Sequence, residues 1–426
     1  MEPILFAKGV LIDTVDLHIK GERINITLPA RLFLNFQQPR SIWAEVTPRG
    51  HWPNQVEVEV CCPALRSFPA VISGYKWTQT EGCTISAAGV LPLRDPVESS
   101  STIELKQVTF ALLDSPTVDD VIRPQLPTSV TLPCGQFAVT IAEPFESHRQ
   151  TAESLGPGPR RLTNSGVIVQ RNGQPFSVDL ARVVLDTLHD VLSIASGRWV
   201  GITLVEATGI DGFARWFRWG TGRMTDASPV RNWFDAGHPE WMIKLCDALL
   251  LIRSDDEAKD VFQKVLYWCV RSNGNGAGVD SSLILSQCAL ELLSWFVIVK
   301  RKAALSEAGY GQLSDAAERL RLTLALLGIP ARVPPTLKNI QANKDWKDIA
   351  DAIVQARNYL VHPTQSRKGK LRAKQDYPWY ELRIAAQWIL ELIILRLLGY
   401  SGKYCNRTRL KDFDAIEDVP WMSSEG

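Results

Sequence analysis

The segment from residue 357 to residue 362 holds residue types that are suited to cleaving RNA. Arg357, Asn358 and His362 bring together a permanent cation, an amide and an imidazole. An imidazole with a pKa near ~6.5 can take a proton from a ribose 2′-hydroxyl or give one to the leaving oxygen. A guanidinium can stabilise the charge that develops around phosphorus. The expected products carry a 2′,3′-cyclic phosphate and a 5′-hydroxyl, and DNA is expected to be spared because it lacks the 2′-hydroxyl.

The spacing of Arg357 and His362 requires the helix that carries them to end at the histidine. Residues five apart on a continuous helix are separated by about 140°, so the two side chains would point in different directions. Pro363 disfavours the helical conformation of His362, so we expect the helix to stop there and the histidine to turn back toward the arginine. Asn358 can orient either partner. The alternative is a histidine that caps the helix beside a solvent-facing arginine.

Similar pairs elsewhere in the chain show that spacing alone is weak support. Arg182 and His189 match the pattern, as do Arg231 and His238. We interpret the first pair as a surface pair on an amphipathic helix and the second as part of an ordinary loop. A motif this short gains meaning only from the structure predicted around it.

The predicted surroundings of Arg357 form a helical bundle. From about residue 240 the hydrophobic spacing is helical, with short connections. Ser254-Asp255-Asp256-Glu257 matches a capping box. We expect helices over about 254–269, 281–302, 314–327, 346–362 and 378–398.

This arrangement resembles the HEPN-domain ribonucleases over roughly the last 160 residues, with the motif on the next-to-last helix. The resemblance implies Arg357, Asn358 and His362 as catalytic residues and a homodimer that brings two motifs together. A β-rich domain ahead of such a bundle is similar to the order in ApeA-type anti-phage proteins. It implies an endoribonuclease in anti-phage defence or a toxin-like role, with abortive infection as its outcome and an N-terminal domain that senses or restrains.

Two further features are candidates for supporting roles. Glu291 lies on a polar stripe of an otherwise apolar helix, so it needs a partner when buried. Arg357 is one candidate partner, and another residue of the bundle is the alternative. Five positive charges follow the motif within eight residues and would bind phosphates, unless they are simply a solvated loop. They are Arg367, Lys368, Lys370, Arg372 and Lys374.

The first part of the chain has the pattern of antiparallel strands. Short alternating segments separated by Pro and Gly favour a β-rich, sandwich-like domain over residues 1–150. We expect a linker over 151–164 and a mixed α/β segment over 165–238 that belongs to the N-terminal part, in which residues 213–219 are an edge strand. The helical bundle follows over 239–405 and a C-terminal tail over 406–426. The predicted fold class is therefore α+β.

Composition narrows the possible functions. The chain has 426 residues, a formal net charge of +1 and eight cysteines without a Cys-x-x-Cys pair. RNA must then be bound by a local basic patch, and the cysteines are predicted to be reduced. The chain shows no leader and no clear spanning segment, so we expect a cytoplasmic protein. No metal-ligand cluster accompanies the motif, and the predicted chemistry uses no cofactor.

Two other functions stay open. One is an inert bundle that mediates dimerisation or partner binding, and the other is a ligand-binding β-domain with a helical appendage.

Overall fold

A computed structural model of the protein describes the greater part of the chain, and side chains are described from residue 103 onward. The described residues are 9–21, 24–35, 41–46, 56–61, 68–72, 74–80, 84–91, 97–98, 103–115, 129–146, 148, 162–219, 223–225, 230–274, 278–361, 378–409 and 415–422. His362 and the basic segment from Arg367 to Lys374 lie outside them.

The chain divides into two compact units. The first contains residues 1–189 and 200–227, and the second contains 190–199 and 228–426. The first unit carries the two seven-stranded antiparallel sheets and the second carries most of the helices. The predicted α+β class is thus confirmed in this general sense.

The first sheet of the β unit has seven antiparallel strands, with the spatial order β5-β4-β1-β2-β3-β7-β6. The alternating segments that predicted strands near residues 24 and 56 do form strands β2 and β4, since period-two alternation gives each strand one apolar face. The bounds are β1 Gly9–Gly21, β2 Ile24–Asn35, β3 Ser41–Val46, β4 Val56–Cys61, β5 Phe68–Ile72, β6 Gly74–Thr80 and β7 Thr84–Leu91.

The second sheet also has seven antiparallel strands, in the order β10-β11-β12-β9-β13-β14-β8. Helix α1, Val178–Ser196, follows a bridge that joins Phe176 to Leu105 of this sheet. The Phe176 ring meets Phe137 edge-on at 5.1 Å. The strands are β8 Val97–Glu98, β9 Leu105–Leu113, β10 Ser129–Cys134, β11 Phe137–Ala142, β12 Leu162–Gln170, β13 Gly201–Gly209 and β14 Ala214–Trp219.

The helical unit is built around one apolar helix, α4, which packs against α3, α6, α8 and α9. By length and composition the stretch Gly278–Arg301 could cross a membrane, but 61% of its apolar window is buried inside the structure, as in the core helix of a bundle. The helices are α2 Leu245–Arg253, α3 Asp256–Asn273, α4 Gly278–Trp295 with a π-helical continuation Phe296–Arg301, α5 Glu307–Gln312, α6 Ala316–Leu327, α7 Lys338–Ala342, α8 Ile349–Val361 and α9 Trp379–Leu397.

Local signals set most helix ends, with one correction. The cap of α3 is Asp255 and not Ser254, because the Asp255 side chain accepts from the Ala258 N–H while the Ser254 hydroxyl donates to the Leu251 carbonyl. Helix α6 ends where predicted, at Gly328, which takes the left-handed conformation with φ 69°.

Three segments are placed differently from the sequence-based expectation. Strand β14 lies between β13 and the short β8, not at the sheet edge, because Val97 and Glu98 pair with it across a long sequence separation. The end of the expected linker, from Leu162, already belongs to β12. The expected tail contains a strand, β16 Ile416–Asp418, which pairs with β15 Lys403–Cys405 at the end of the expected bundle. Trp421 beyond them is buried and donates to the Tyr400 carbonyl at 2.9 Å.

Candidate functional site

The motif arginine lies one turn before the described end of α8. One face of this helix consists of buried alanine and aliphatic side chains. Arg357 and Asn358 are half-buried beside that face. The Arg357 Nη1 donates to the Asn358 Oδ1 at 3.2 Å, which restrains the long arginine side chain. Helix α8 ends at Val361, the last described residue before His362. The predicted stop at His362 and Pro363 lies outside the described residues.

Helix α4 carries a thiol, Cys288, whose pKa both Arg357 and Glu291 influence. Burial raises the pKa of the Cys288 thiol, the Glu291 carboxylate raises it further, and the Arg357 guanidinium lowers it. Cys288 is half-buried on α4, which packs against α8.

Glu291 has a partner of its own on the same helix. The Gln287 Nε2 donates to a Glu291 carboxylate oxygen at 3.2 Å, an interaction between residues four apart. The Glu291 carbonyl also accepts from the Tyr310 hydroxyl at 3.5 Å, and the Arg319 guanidinium lies 4.5 Å from the Tyr310 ring centre.

The rest of the predicted site lies outside the described residues. These are His362 of the motif and the basic residues Arg367, Lys368, Lys370, Arg372 and Lys374. The structure therefore joins Arg357 to Asn358 on α8 and places Glu291 on the neighbouring helix α4, and it gives no position for the remaining predicted residues. Within the described ranges, no group of three or more His, Cys, Asp or Glu side chains is arranged to hold a metal ion.

The two similar pairs elsewhere have other partners. Arg182 pairs with Asp179 on the surface of α1, while the His189 ring contacts the Arg223 carbonyl at 2.9 Å. The His238 ring contacts the Glu240 carboxylate at 2.9 Å and stacks on Trp241 with 4.9 Å between ring centres. These contacts agree with the structural interpretation of both pairs.

A buried ion pair in the helical unit was missed by the sequence analysis. Arg407 donates to both carboxylate oxygens of Glu391 on α9, and 5% and 7% of the two side chains are exposed. The guanidinium also donates to the Asn273 Oδ1 at 3.1 Å and to the Arg231 carbonyl at 2.6 Å. The one available signal was Glu391 within an apolar helix, because a buried carboxylate requires a cation or several donors.

This ion pair is structural rather than a substrate site. The adjoining cavity has a volume of about 10 Å³, far below the size of a ligand pocket. Its lining includes Trp233, Cys269, Asn273 and Glu391. Burial raises the pKa of Cys269 to about 12, so this thiol stays protonated and unreactive.

A second buried polar cluster joins three helices at one level of the bundle. The Gln387 Nε2 of α9 donates to the hydroxyls of Ser272 on α3 and Ser286 on α4, the latter at 2.8 Å. The Ser282 hydroxyl donates to the Ser272 carbonyl at 2.6 Å. These bonds fix the register of the three helices. If one helix shifted along another, buried polar groups would lose their hydrogen-bond partners and the folded protein would be less stable.

Comparison with known proteins finds similarity to YopA. The family model described as the YopA C-terminal domain matches residues 255–418, and the one described as the YopA central domain matches residues 101–230. The SPbeta prophage-derived uncharacterized protein YopA of Bacillus subtilis strain 168 is 26% identical over 268 residues, which cover 62% of this chain and 59% of the relative. No solved structure matches the chain. The chain is therefore similar to YopA in its central and C-terminal parts, which contain most of the second sheet and most of the helical bundle.

Proposed function

We propose that this protein is a metal-independent endoribonuclease of the HEPN type, with Arg357, Asn358 and His362 as its catalytic residues. The observation that supports this most is the end of α8. Arg357 is restrained by Asn358 one turn before Val361, at the described end of a bundle helix, and His362 follows directly in the chain. Pro363 disfavours the helical conformation of His362, and this would let the histidine turn back toward the guanidinium.

The chemistry needs only the groups that the motif and the RNA supply. His362 takes the proton of a ribose 2′-hydroxyl, whose oxygen forms a bond to the adjacent phosphorus while the bond to the 5′-oxygen breaks. A protonated imidazole returns a proton to that leaving oxygen. Arg357 stabilises the charge on the non-bridging oxygens throughout. The products are a 2′,3′-cyclic phosphate and a 5′-hydroxyl end.

Each motif contributes one cation and one imidazole, which is a small set of groups for both proton transfers. A homodimer that brings two copies of the α8 end together would supply an acid and a base at the same time. The basic residues Arg367, Lys368, Lys370, Arg372 and Lys374 follow the motif in sequence, and we assign them to phosphate binding.

A role in conflicts between phage and host fits the similarity to YopA. Its printed name describes it as prophage-derived, which supports a phage context without indicating an activity. We propose that the nuclease acts in defence or as a toxin and that the β unit restrains or triggers it.

The test is expression of the whole chain in bacteria with mapping of RNA 5′ ends. We expect the wild type to generate 5′-hydroxyl ends and slow growth, and we expect His362→Ala and Arg357→Ala to abolish both effects. Arg182→Ala and His189→Ala are matched controls, because each removes the same residue type from the similar pair on α1. Both controls should behave like the wild type.

Purified protein allows the chemistry to be examined directly. Cleavage should persist in EDTA, and an oligonucleotide whose ribose is replaced by deoxyribose should stay intact. If wild type and His362→Ala leave the same RNA ends in cells, including cells infected by phage, the bundle is an inert interaction module instead. A dimer that survives without any cleavage would support that alternative.

A further inference from the structure

The central helix of the bundle, α4, carries its uncharged polar side chains on the inside. Four of them are at most 1% exposed, namely Ser282, Ser286, Gln287 and Ser294. The Ser282 hydroxyl donates to the Ser272 carbonyl of α3, and the Ser286 hydroxyl accepts from Gln387 of α9 at 2.8 Å. The polar side of α4 therefore faces the rest of the bundle.

The other side of α4 is apolar and only half-buried. Cys288, Leu292 and Trp295 recur at helical spacing, so they share this side of the helix. It carries six large apolar side chains that all keep solvent-accessible area, Ile284, Leu285, Leu292, Trp295, Phe296 and Val299. We call this surface the α4 face. At about 1.5 Å per residue it is roughly 20 Å long.

This distribution is the reverse of what the surface of a monomer requires. Polar side chains lose hydration when they are buried, and apolar side chains that face water order or exclude it at a cost in free energy. A contiguous apolar surface of this kind marks a contact with another macromolecule. The single charged residue between positions 281 and 299 is Glu291, whose carboxylate accepts from Gln287. The α4 face is thus suited to a partner that is itself apolar.

The charges around the α4 face exclude a polyanion or an anionic membrane as its natural occupant. Lys300, in the last turn of the π-helical continuation, already pairs with Glu257 and Glu307 at 3.0 and 3.3 Å. The described positive and negative side chains at the two ends and on the face are close to balance, with Lys300, Arg301 and Lys302 against Asp280, Glu257, Glu291 and Glu307. There is no excess of positive charge to attract phosphate groups.

The two ends of α4 carry exposed charges of opposite sign. Asp280 lies in the first turn and Arg301 in the last turn of the π-helical continuation, and the α4 face lies between them. If two copies of α4 pack antiparallel with their faces centred on each other, Asp280 of each copy comes beside Arg301 of the other. The surface is therefore complementary to itself, as a two-fold contact between identical chains requires.

We propose that the α4 face is the surface through which two copies of this chain form a dimer, with their α4 helices antiparallel. A two-fold axis perpendicular to antiparallel helices leaves the same flank of each copy on one side of the contact. Because α8 packs against α4, the two motif helices then lie on the same side of the dimer. The pairing of the motifs rests on the proposed function, whereas the contact rests on the packing and charges of α4.

The first experiment places a charge in the α4 face. Sedimentation velocity of full-length His362→Ala protein at a series of concentrations gives the Kd of the dimer. We expect Leu292→Glu in this background to raise that Kd about a hundredfold, because a carboxylate would be buried against apolar side chains. Leu251→Glu is the matched control, since it makes the same change at a leucine of α2 that is 73% exposed, and its Kd should equal that of the parent.

The second experiment uses exposed residues, whose replacement leaves the fold intact. Asp280→Arg and Arg301→Asp should each weaken the dimer about tenfold, because each sets like charges against one another twice in the dimer. The double variant restores both opposite-charge pairs and should dimerise like the parent. Circular dichroism of every variant confirms that the helices have formed. Additive weakening in the double variant would overturn the antiparallel contact.

Two further results would overturn the α4 face as a dimer surface. One is a parent protein that stays monomeric at every concentration. The other is a dimer whose Kd is the same with Leu292→Glu as with Leu251→Glu. Flotation of the parent with phospholipid vesicles, lost in Leu292→Glu, would assign the face to a membrane instead.

The outcomes separate this inference from the proposed function. If the wild type cleaves RNA and the charge variants leave the dimer unchanged, the α4 contact is wrong and the nuclease stands. If the double charge variant restores the dimer but Arg357→Ala leaves the cellular RNA ends unchanged, the nuclease is wrong and the α4 contact stands.

Discussion

Arg407 and Glu391 form a buried ion pair in the helical unit, and Arg407 comes from a segment that the sequence predicts as a tail. Burial raises the pKa of Glu391, and the charge and hydrogen bonds of Arg407 act in the opposite direction. The Asn273 side-chain oxygen and the Arg231 carbonyl are two further acceptors for the guanidinium. Residues 231, 273, 391 and 407, which are far apart in sequence, are therefore held by one side chain.

Loss of Arg407 should be severe. We expect Arg407→Met to lower the free energy of unfolding by about 3–5 kcal/mol, because it leaves the Glu391 carboxylate buried without a cation. Urea denaturation followed by circular dichroism measures the change. The matched control is Arg409→Met, since Arg409 pairs with Glu417 at the surface and should cost at most about 1 kcal/mol. Similar losses for the two variants would contradict the structural role of Arg407.

Replacing Asn358 should slow cleavage without weakening RNA binding. Asn358→Leu removes the acceptor that restrains the Arg357 guanidinium, so the cation would sample positions away from the phosphate. We expect kcat to fall about tenfold or more with little change in KM. Gln355→Leu, which changes a half-buried side chain on the same helix, should keep the wild-type kcat. A higher KM with an unchanged kcat would mean that Asn358 contributes to RNA binding, and it would exclude a positioning role.

The β unit should lose stability in mild acid because of His148. Its Nδ1 lies 2.6 Å from the Ser165 hydroxyl, which also accepts from the Phe145 N–H at 2.8 Å. Burial lowers the pKa of His148 below its ordinary 6.5, so the unfolded chain binds more protons than the folded protein between the lowered pKa and pH 6.5. Stability in this window therefore rises with pH, and it falls as the pH drops below 6.5.

The His148→Gln variant provides the measurement. Thermal unfolding of wild type and variant at pH values on either side of 6.5 should show a smaller acid-induced fall in Tm for the variant. Parallel pH profiles for the two proteins would mean that His148 contributes nothing to the acid response.

Glu381 on α9 should stabilise the first turn of helix α7. Helix α7 has Leu337 at its cap position without a side-chain cap, and the Glu381 carboxylate of α9 accepts from the N–H groups of Asn339 and Ile340 instead. We expect Glu381→Ala to cost about 1–2 kcal/mol of unfolding free energy and Glu381→Gln to cost less, because the amide oxygen still accepts. Equal losses in the two variants would show that the acceptor oxygen is not what stabilises α7.

Local sequence signals predicted many of the elements correctly. The segment predicted as a helix over 314–327 forms α6 from Ala316 to Leu327, where Gly328 supplies the left-handed residue that ends it. The cap of α3 was predicted one residue early, because Ser254 and Asp255 are both good caps and only the path of the backbone chooses between them. Edge and inner strands were also hard to distinguish, since β14 becomes an inner strand through two residues far away in sequence.

The sequence by itself determined the local features of this protein. Alternation with period two predicts the strands, helical spacing predicts the bundle helices, and Arg357, Asn358 and His362 define the chemistry that we propose. Each of these signals depends on neighbouring residues. The tertiary structure alone decided that Arg407 neutralises Glu391 and that Glu381 caps α7. Such partners depend on which helix faces pack together. The hydrophobic spacing of a segment shows which of its faces is buried, but not which other segment covers that face.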